Sequence, residues 1–325
     1  MKDAQGREIK YLRISVTDRC NLRCKYCMPN GIECVEHKDI LSFEEIRQIA
    51  ACAAKLGITK IRLTGGEPLA RKACPQLVKM LKEIPGIEKV AMTTNGTLVR
   101  AVLPELVEAG LDEMNISLDT LDAAHFADIT GQDLLPEVLL AIDAALEAGL
   151  QVKVNAVSMP DTDWKSLISL AKERKVDVRF IELMPIGEGK RSEGRSNEEL
   201  LTEIKTEFPD MQEDHSVHGA GPAVYYKIPG YQGSIGLISA MHGKFCSSCN
   251  RVRLTSTGFL KTCLCYEDGT DLRGIFRDEN TNDSAMTEKK LFDAMSCTIY
   301  GKPVEHCFEQ PDQITEAHGM SAIGG

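Results

Sequence analysis

A repeated alternation of β-prone and helical segments between residues 11 and 183 constrains the fold of this chain more than any other feature. Short runs rich in apolar and β-branched residues alternate with amphipathic patterns of helical period. The predicted strands are 11–16, 60–64, 88–94, 112–118, 150–159 and 176–183. Such strict alternation is typical of a parallel sheet covered by helices, either an open doubly wound sheet or an incomplete β/α barrel.

The ends of these strands help to choose between the two architectures. Each strand is followed by residues that a plain connection would not need, among them TDRCNLRCKYC, TGGEP, TTNG, SLDT and ELMP. Ligand-binding residues collect at the carboxyl ends of parallel strands in both folds. All six strands contribute here, which suits the mouth of a barrel better than a crevice between two strands.

The alternation stops after residue 185. The segment AVYYKIPGYQGSIGLIS predicts a β-hairpin around Pro229 and Gly230. We therefore predict two domains, a partial barrel over residues 1–220 and an α+β extension over residues 221–325. Within the barrel, Ser42 opens a capping box, SFEE, for a helix that ends at Gly57.

Composition limits the classes of function. The formal charge of −10 argues against nonspecific nucleic-acid binding, although a local basic pocket for a small anion stays possible. No apolar run approaches the length of a membrane span, and MKDAQGREIK lacks the apolar core of a signal peptide. We expect a cytoplasmic protein, in which clustered cysteines more often bind metal than form disulfides.

The first cysteine triad is Cys20, Cys24 and Cys27, spaced C-x3-C-x2-C. Three thiolates can hold three irons of a [4Fe–4S] cube and leave the fourth iron open for a ligand. The alternative is a zinc site completed by His37 or Cys34.

The second cysteine triad is Cys246, Cys249 and Cys263. It fits a structural zinc knuckle completed by Cys265 or His242, or a second cluster with an open iron. Arg251 and Arg253 lie between these cysteines at alternate positions, from which both guanidinium groups could reach a phosphate.

Two motifs together resemble the signatures of the radical S-adenosylmethionine (SAM) enzymes. They are CNLRCKYC at 20–27 and GGEP at 65–68, where two glycines allow close backbone approach and Glu67 could pair with a cation. The wider pattern is similar to the GTP 3′,8-cyclase family, which begins molybdenum cofactor biosynthesis. The resemblance rests on YLRISVTDRCNLRCKYCMP, RLTGGEPLAR, TTNG, NISLDTLD, RFIELMP, FCSSCNRVRLTSTGFLKTCL and the ending IGG.

The resemblance implies a (β/α)6 partial TIM barrel of the radical SAM type, with a C-terminal extension that closes the barrel mouth. It implies two [4Fe–4S] clusters, one at each triad. The first would bind SAM and generate a 5′-deoxyadenosyl radical, and the second would bind the guanine end of GTP. The expected reaction is hydrogen abstraction from C3′ of GTP followed by bonding of C3′ to C8, which gives 3′,8-cyclo-7,8-dihydro-GTP.

Matching residue by residue extends these expectations to particular side chains. The SAM contacts implied by the resemblance are Tyr26, Gly66, Ser117 and Met184, and the GTP contacts are Arg13, Arg62, Thr93, Lys153, Arg251, Val252 and Arg253. Arg62 and Lys153 also interrupt apolar strands, which by itself favours a position in the barrel lumen. Gly324 and Gly325 are expected to form an accessory catalytic tail.

Cys265 is unusual, since an apolar or aromatic residue is expected two positions after a cluster ligand. We interpret it as a buried thiol, because a fourth ligand would close the second site.

The implied partners are GTP, cyclic pyranopterin monophosphate synthase as the next enzyme and an external one-electron reductant, without nucleic acid or membrane, in a monomer or homodimer. Rival interpretations are a peptide-modifying radical SAM enzyme and a non-catalytic iron–sulfur or zinc module.

Overall fold

The computed structural model describes residues 1–31, 35–278 and 283–323, and within these ranges one sheet of twelve strands runs through the molecule. The six predicted strands all form, within one residue of the expected positions at each end. They are β1 (Tyr11–Ser15), β2 (Lys60–Thr64), β3 (Lys89–Thr94), β4 (Glu113–Ser117), β5 (Gln151–Ser158) and β6 (Asp177–Glu182). Each is parallel to the next, as the β-α alternation predicts.

The helices that connect these strands bury apolar faces against the sheet. They are α1 (Phe43–Lys55), α2 (Cys74–Lys82), α3 (Val99–Glu108), α4 (Ala123–Thr130), α5 (Leu135–Glu147) and α6 (Trp164–Glu173). The predicted capping box is present at α1: Glu45 N–H donates to Ser42 Oγ at 3.1 Å, and Ser42 N–H donates to the Glu45 carboxylate at 2.7 Å. After α1, Gly57 adopts a φ of +88°, which favours glycine and ends the helix.

The C-terminal part of the chain extends the parallel sheet at both edges. After α7 (Asn197–Glu207) come β7 (Gln212–Asp214), β8 (Val224–Lys227), β9 (Ile235–Ile238), β10 (Arg251–Leu254), β11 (Phe259–Lys261) and β12 (Gly269–Asp271), followed by α8 (Arg273–Phe276) and α9 (Ser284–Tyr300). Strand β9 pairs in parallel with β6, and β10 pairs in parallel with β1. Sequence reasoning did not place these two strands in the barrel sheet.

The remaining strands are antiparallel additions to this sheet. Strands β8 and β9 form the predicted hairpin, and β7 pairs with β8. The domain boundary predicted at 220/221 lies in the connection between β7 and β8. In the described ranges the hydrogen-bonded order is β12-β11-β10-β1-β2-β3-β4-β5-β6-β9-β8-β7, with edges at β12 and β7. The barrel is therefore partial, in agreement with the predicted fold class.

The two faces of the sheet differ sharply in chemistry. Leu12 and Ile14 of β1 and Ile61 and Leu63 of β2 are fully buried in the apolar core beneath the helices. Side chains alternate along a strand, so the residues between them face the barrel lumen. In β1, β2 and β10 those lumen residues are largely aromatic or basic, so the lumen is polar and positively charged beside these strands.

Candidate active site

A single cavity contains both cysteine triads. Its volume is about 360 Å³, within the roughly 300–1,000 Å³ range of small-molecule sites. It is lined by all six triad cysteines, by the four predicted SAM contacts and by four of the predicted GTP contacts, namely Arg13, Thr93, Arg251 and Arg253. The triads, which are distant in sequence, therefore face the same space.

The triads lie at opposite ends of β1. Cys20 follows the carboxyl end of this strand, whereas Cys249 precedes Asn250, whose carbonyl accepts hydrogen bonds from Lys10 and Tyr11 at the amino end. Each triad can therefore serve a separate ligand along one cavity.

The loop that follows β1 carries the first triad, whose three cysteines are half-buried. Leu22 N–H donates to Cys20 Sγ at 3.4 Å, and Cys27 N–H donates to the Cys24 carbonyl at 3.0 Å. Burial raises the pKa of all three thiols, that of Cys27 to about 11. Thiolates here would need the positive charge of a bound metal, because metal ligation requires deprotonated cysteine.

The GGEP turn lies directly beside this loop. Gly66 N–H donates to the Thr17 carbonyl at 2.8 Å, and Glu67 N–H donates to the Arg19 carbonyl at 2.8 Å. A Cβ at Gly66 would lie 2.4 Å from the Arg19 carbonyl oxygen, so only glycine allows this approach.

Glu67 connects the GGEP turn to the end of β3. Its buried carboxyl accepts hydrogen bonds from Leu69 N–H, Thr94 O–H and Asn95 N–H at 2.7–3.0 Å. All three donors are uncharged groups of the protein, and the pairing of Glu67 with a cation stays a prediction. Burial raises the pKa of Glu67 to about 7.

Tyr26 and Asp119 form a polar pair beside the first triad. Tyr26 O–H donates to Asp119 Oδ2 at 2.7 Å, and Val157 N–H donates to Asp119 Oδ1 at 2.8 Å. Burial raises the pKa of the Asp119 carboxyl. Sequence reasoning noted the SLDT segment at this strand end but did not select Asp119 as a site residue.

The second triad has a cationic environment. Burial opposes ionisation of the Cys249 thiol, but the charges of Lys302, Arg251 and Arg253 outweigh it and lower the pKa of Cys249. Lys302 is itself buried, and its ammonium donates to the Thr262 carbonyl next to Cys263.

Arg7 joins this triad to the KPVEH segment. Its guanidinium donates to the carbonyls of Cys246 and Val304, both at 2.9 Å, and to Pro303 at 2.6 Å and Lys302 at 3.3 Å. Its Nε donates to the buried Asp3 carboxylate at 2.6 Å, which fixes the plane of the group. The segment KPVEH (302–306) is thus joined through Arg7 to the second triad.

The C-terminal segment 302–323 runs from one triad to the other. The backbone of His306 lies beside Cys246 and that of Ser321 beside Cys27, and each partly offsets the rise that burial causes in the pKa of that thiol. Met320 and Ser321 also line the cavity. The segment therefore covers one side of the cavity between the two triads. Gly324, Gly325 and Cys34 lie outside the described residues.

Basic side chains occupy the lumen in two levels, each a row of residues in register across β10, β1 and β2. The strand register aligns Arg251, Tyr11 and Lys60 on one level and Arg253, Arg13 and Arg62 on the next. The levels adjoin the second triad, because the Arg251 level directly follows Cys249 and Asn250 in the chain.

The charges of this cluster perturb one another. Burial opposes ionisation of the Tyr11 phenol, but Arg62, Arg13 and Lys60 outweigh it and lower its pKa to about 8. Burial and the neighbouring Arg251 lower the pKa of Arg253 to about 10. A buried set of cations that disfavour one another's charge gains free energy when an anion binds.

The buried carboxylate of Glu113 partly balances these cations. It accepts hydrogen bonds from Lys60 at 2.6 Å, Arg62 at 3.3 Å and Lys89 at 3.3 Å. Burial opposes its ionisation, but Lys60 and Arg62 prevail and lower the pKa of Glu113 to about 2. Glu113 thus compensates part of the positive charge at Lys60 and Arg62.

The other predicted GTP contacts, Arg62, Lys153 and Val252, are not among the residues that line the cavity. Arg62 and Lys153 are buried in the lumen, as their strand positions predict, and Lys153 donates to the His218 carbonyl. Burial and the nearby Arg179 lower the pKa of Lys153 to about 8. The side chain of Val252 packs in the apolar core, so only its backbone faces the neighbouring strands.

Sequence reasoning missed three residues of the lumen cluster: the aromatic Tyr11 and the basic Lys60 and Arg179. Lys60 lies two positions before Arg62 and so shares its face of β2. Arg179 interrupts the apolar strand β6 just as Lys153 interrupts β5. The same argument that selected Arg62 and Lys153 could have found both.

The two triads fit iron–sulfur clusters by donor type. In a [4Fe–4S] cube each ligand binds a different iron, so the ligands surround the cluster instead of meeting at one ion. Over residues 1–31, 35–278 and 283–323, no group of three His, Cys, Asp or Glu side chains is arranged to hold a single metal ion. The thiols of both triads line the cavity, so a cluster held by either triad would face it.

The partial barrel with a cysteine triad and GGEP turn at its mouth defines a protein of the radical SAM class. The sequence matches the Radical SAM superfamily over residues 14–173 and the Molybdenum Cofactor Synthesis C family over residues 176–306. The chain belongs to the GTP 3′,8-cyclase family. It is 43% identical to the GTP 3′,8-cyclase of Clostridium perfringens (strain 13 / Type A) and 41% identical to that of Moorella thermoacetica, with full coverage of both chains in each case.

Solved structures support the fold. Streptococcus suis SuiB bound to S-adenosylmethionine has a TM-score of 0.64 at 14% identity, covering 96% of this chain and 76% of SuiB. Methylornithine synthase (PylB) has a TM-score of 0.50 at 20% identity, covering 62% of this chain and 63% of that one. At such identities the likeness extends to the fold alone. Among the described residues, no helix is long and apolar enough to cross a membrane.

Proposed function

We propose that this protein converts GTP to 3′,8-cyclo-7,8-dihydro-GTP in the cytoplasm, with SAM and two [4Fe–4S] clusters as cofactors. The observation that carries the proposal is one cavity lined by two cysteine triads, with a buried basic cluster next to the second. An external one-electron reductant would supply electrons, and cyclic pyranopterin monophosphate synthase would take the product.

At the first triad, Cys20, Cys24 and Cys27 would hold a cluster whose open iron chelates SAM. Bound together, the cluster and SAM supply a hydrogen-abstracting organic radical by reductive cleavage of the sulfonium. The close approach of Gly66 to residues 17–19 leaves backbone groups of the turn free of a side-chain barrier. Tyr26, Ser117 and Met184 line the same region and would orient the adenosyl and methionyl parts of SAM.

At the second triad, Cys246, Cys249 and Cys263 would hold the cluster that binds the guanine ring. The two basic levels of the lumen begin beside this triad, so a triphosphate attached to that guanosine could lie among them. Arg13, Arg251 and Arg253 line the cavity and could pair with phosphate oxygens, for which the guanidinium fork is well suited. Arg62, Lys153, Lys60 and Arg179 would contribute positive potential from behind them.

The segment 302–323 would shield the reaction from water. Its backbone lies beside a cysteine of each triad, and its residues line the cavity between them. Exclusion of solvent matters for radical chemistry, because side reactions compete with the intended transfer. Gly324 and Gly325, which follow this segment in the sequence, would serve as the accessory catalytic tail.

The test is anaerobic reconstitution with iron and sulfide, followed by reductant, SAM and GTP. We expect about eight irons per chain, formation of 5′-deoxyadenosine that requires GTP, and a cyclised nucleotide product. ATP serves as the control nucleotide, since it offers a triphosphate without the guanine amide. Cleavage of SAM that is indifferent to GTP would overturn the substrate assignment.

A further inference from the structure

Two thiols outside the triads lie in direct contact beside the second triad. Cys265 Sγ and Cys307 Sγ are 2.9 Å apart, and both side chains are buried. Cys307 N–H also donates to Cys265 Sγ at 3.2 Å, and the Cys307 thiol lies 3.2 Å from the Gln313 carbonyl. A disulfide bond is about 2.0 Å long, so the sulfurs need to approach by only about 1 Å to bond.

The surroundings of the pair favour a covalent bond over metal ligation. Ile186, Leu264, Phe308 and Ile323 enclose the two thiols in a small apolar cluster that is separate from the main core. No histidine or carboxylate completes a ligand set around them within the described ranges.

The pair connects the two segments that brace the second triad. The backbone of Cys265 lies beside the Cys263 thiol, and the backbone of His306, next to Cys307, lies beside the Cys246 thiol. A bond between Cys265 and Cys307 would therefore tie together two segments that lie against the second triad. It would also anchor segment 302–323, which covers the cavity.

We propose that Cys265 and Cys307 are a site of reversible disulfide formation that locks the C-terminal segment onto the second triad. The oxidant is a small-molecule disulfide. One protein thiolate attacks its S–S bond and releases one reagent thiol; the second protein thiolate then attacks the mixed disulfide and releases the other. Two protein thiols lose two electrons, the reagent becomes two thiols, and the protons of the protein thiols end on those products.

The test uses the reconstituted holoenzyme without oxygen, incubated with bis(2-hydroxyethyl) disulfide. Remaining thiols are alkylated after denaturation, and peptides are mapped by mass spectrometry. We expect one cross-linked peptide pair containing Cys265 and Cys307, the loss of two alkylated thiols per chain, and reversal by dithiothreitol. The buried Cys52 and Cys74 should stay reduced. Recovery of Cys265 and Cys307 as free thiols or as mixed disulfides, or linkage of either to a triad cysteine, would overturn the proposal.

Two variants and one further measurement sharpen the result. Cys307→Ser should abolish the cross-link, whereas Cys297→Ser, which changes an exposed cysteine of α9, should leave it unchanged. The oxidised wild-type protein should also release iron to a chelator more slowly than the reduced protein, because the brace of the second triad is then covalent. Equal rates of iron release would contradict the locking role. The mapping does not depend on turnover, so its outcome is separable from the outcome for the proposed function.

Discussion

The two cysteine triads have the same ligands but opposite surroundings. The first lies in a single loop, beside the carboxyls of Glu67 and Asp119. The second spans residues 246–263, on both sides of β10 and β11, and lies among Lys302, Arg251 and Arg253. With the proposed clusters in place, the surrounding charge would specialise the two ends of the cavity: a cationic sulfonium suits the first end, and an anionic triphosphate suits the second.

The largest expected effects come from removing one triad at a time. Cys24→Ala should abolish formation of 5′-deoxyadenosine, because the first cluster would be lost. Cys263→Ala should retain slow cleavage of SAM but yield no cyclised nucleotide. Iron content should fall from about eight to about four per chain in both variants. If Cys263→Ala still cyclises GTP, the division of labour between the triads is wrong.

Arg7 offers a way to weaken the second triad alone. Arg7→Ala removes a buried partner of Asp3, which typically costs about 3–5 kcal/mol, and leaves four backbone carbonyls without this donor. We expect a lower melting temperature and selective loss of the second cluster. The matched control is Arg23→Ala: Arg23 donates to the carbonyls of Cys20 and Leu22 beside the first triad but is exposed.

The informative result is the difference in iron content and in stability between Arg7→Ala and Arg23→Ala. Removing the exposed Arg23 should change the free energy of unfolding by about 1 kcal/mol or less and leave both clusters in place. Iron analysis and thermal unfolding measure both effects. Equal loss of iron in the two variants would contradict the assigned bracing role of Arg7.

Substitutions in the two basic levels should raise the KM for GTP and leave the KM for SAM unchanged. Arg253→Ala removes one charge-assisted interaction, worth roughly 1.5–3 kcal/mol, so the KM for GTP should rise about 10- to 150-fold. The KM for SAM should stay constant, since SAM would bind at the other end of the cavity. Lys165→Ala, which removes an exposed lysine paired with Glu207, serves as the control. A parallel rise in the KM for SAM would contradict the separation of the two ends.

The smallest predicted effect is a pH dependence of GTP binding. Lys153 is charged below its pKa of about 8 and neutral above it, so the KM for GTP should rise as pH increases through 8. Tyr11 also has a pKa of about 8 and becomes anionic in the same range, which acts in the same direction. Lys153→Met and Tyr11→Phe should each flatten the profile between pH 7 and pH 9, as steady-state kinetics can establish. If neither variant changes the pH profile, Lys153 and Tyr11 do not cause the pH dependence of GTP binding, which would contradict the prediction.

The part of the site that could be predicted depends on local spacing or strand period. The first triad, the GGEP turn and the lumen positions of Arg62 and Lys153 follow from short patterns. Arg7 could not be predicted in this way, because its carbonyl partners lie 239 to 297 residues further along the chain. The parallel pairing of β10 with β1 is equally non-local, and so is the contact between Cys265 and Cys307.

The most direct test of the central claim is electron paramagnetic resonance of variants that hold one cluster each. The sample that lacks the second cluster is Cys263→Ala, and the sample that lacks the first is Cys24→Ala, each titrated separately with SAM and with GTP. SAM should change the spectrum of the first cluster only, and GTP that of the second only. A change of the first cluster's spectrum on addition of GTP, or of the second on addition of SAM, would contradict the assignment of one ligand to each end of the cavity.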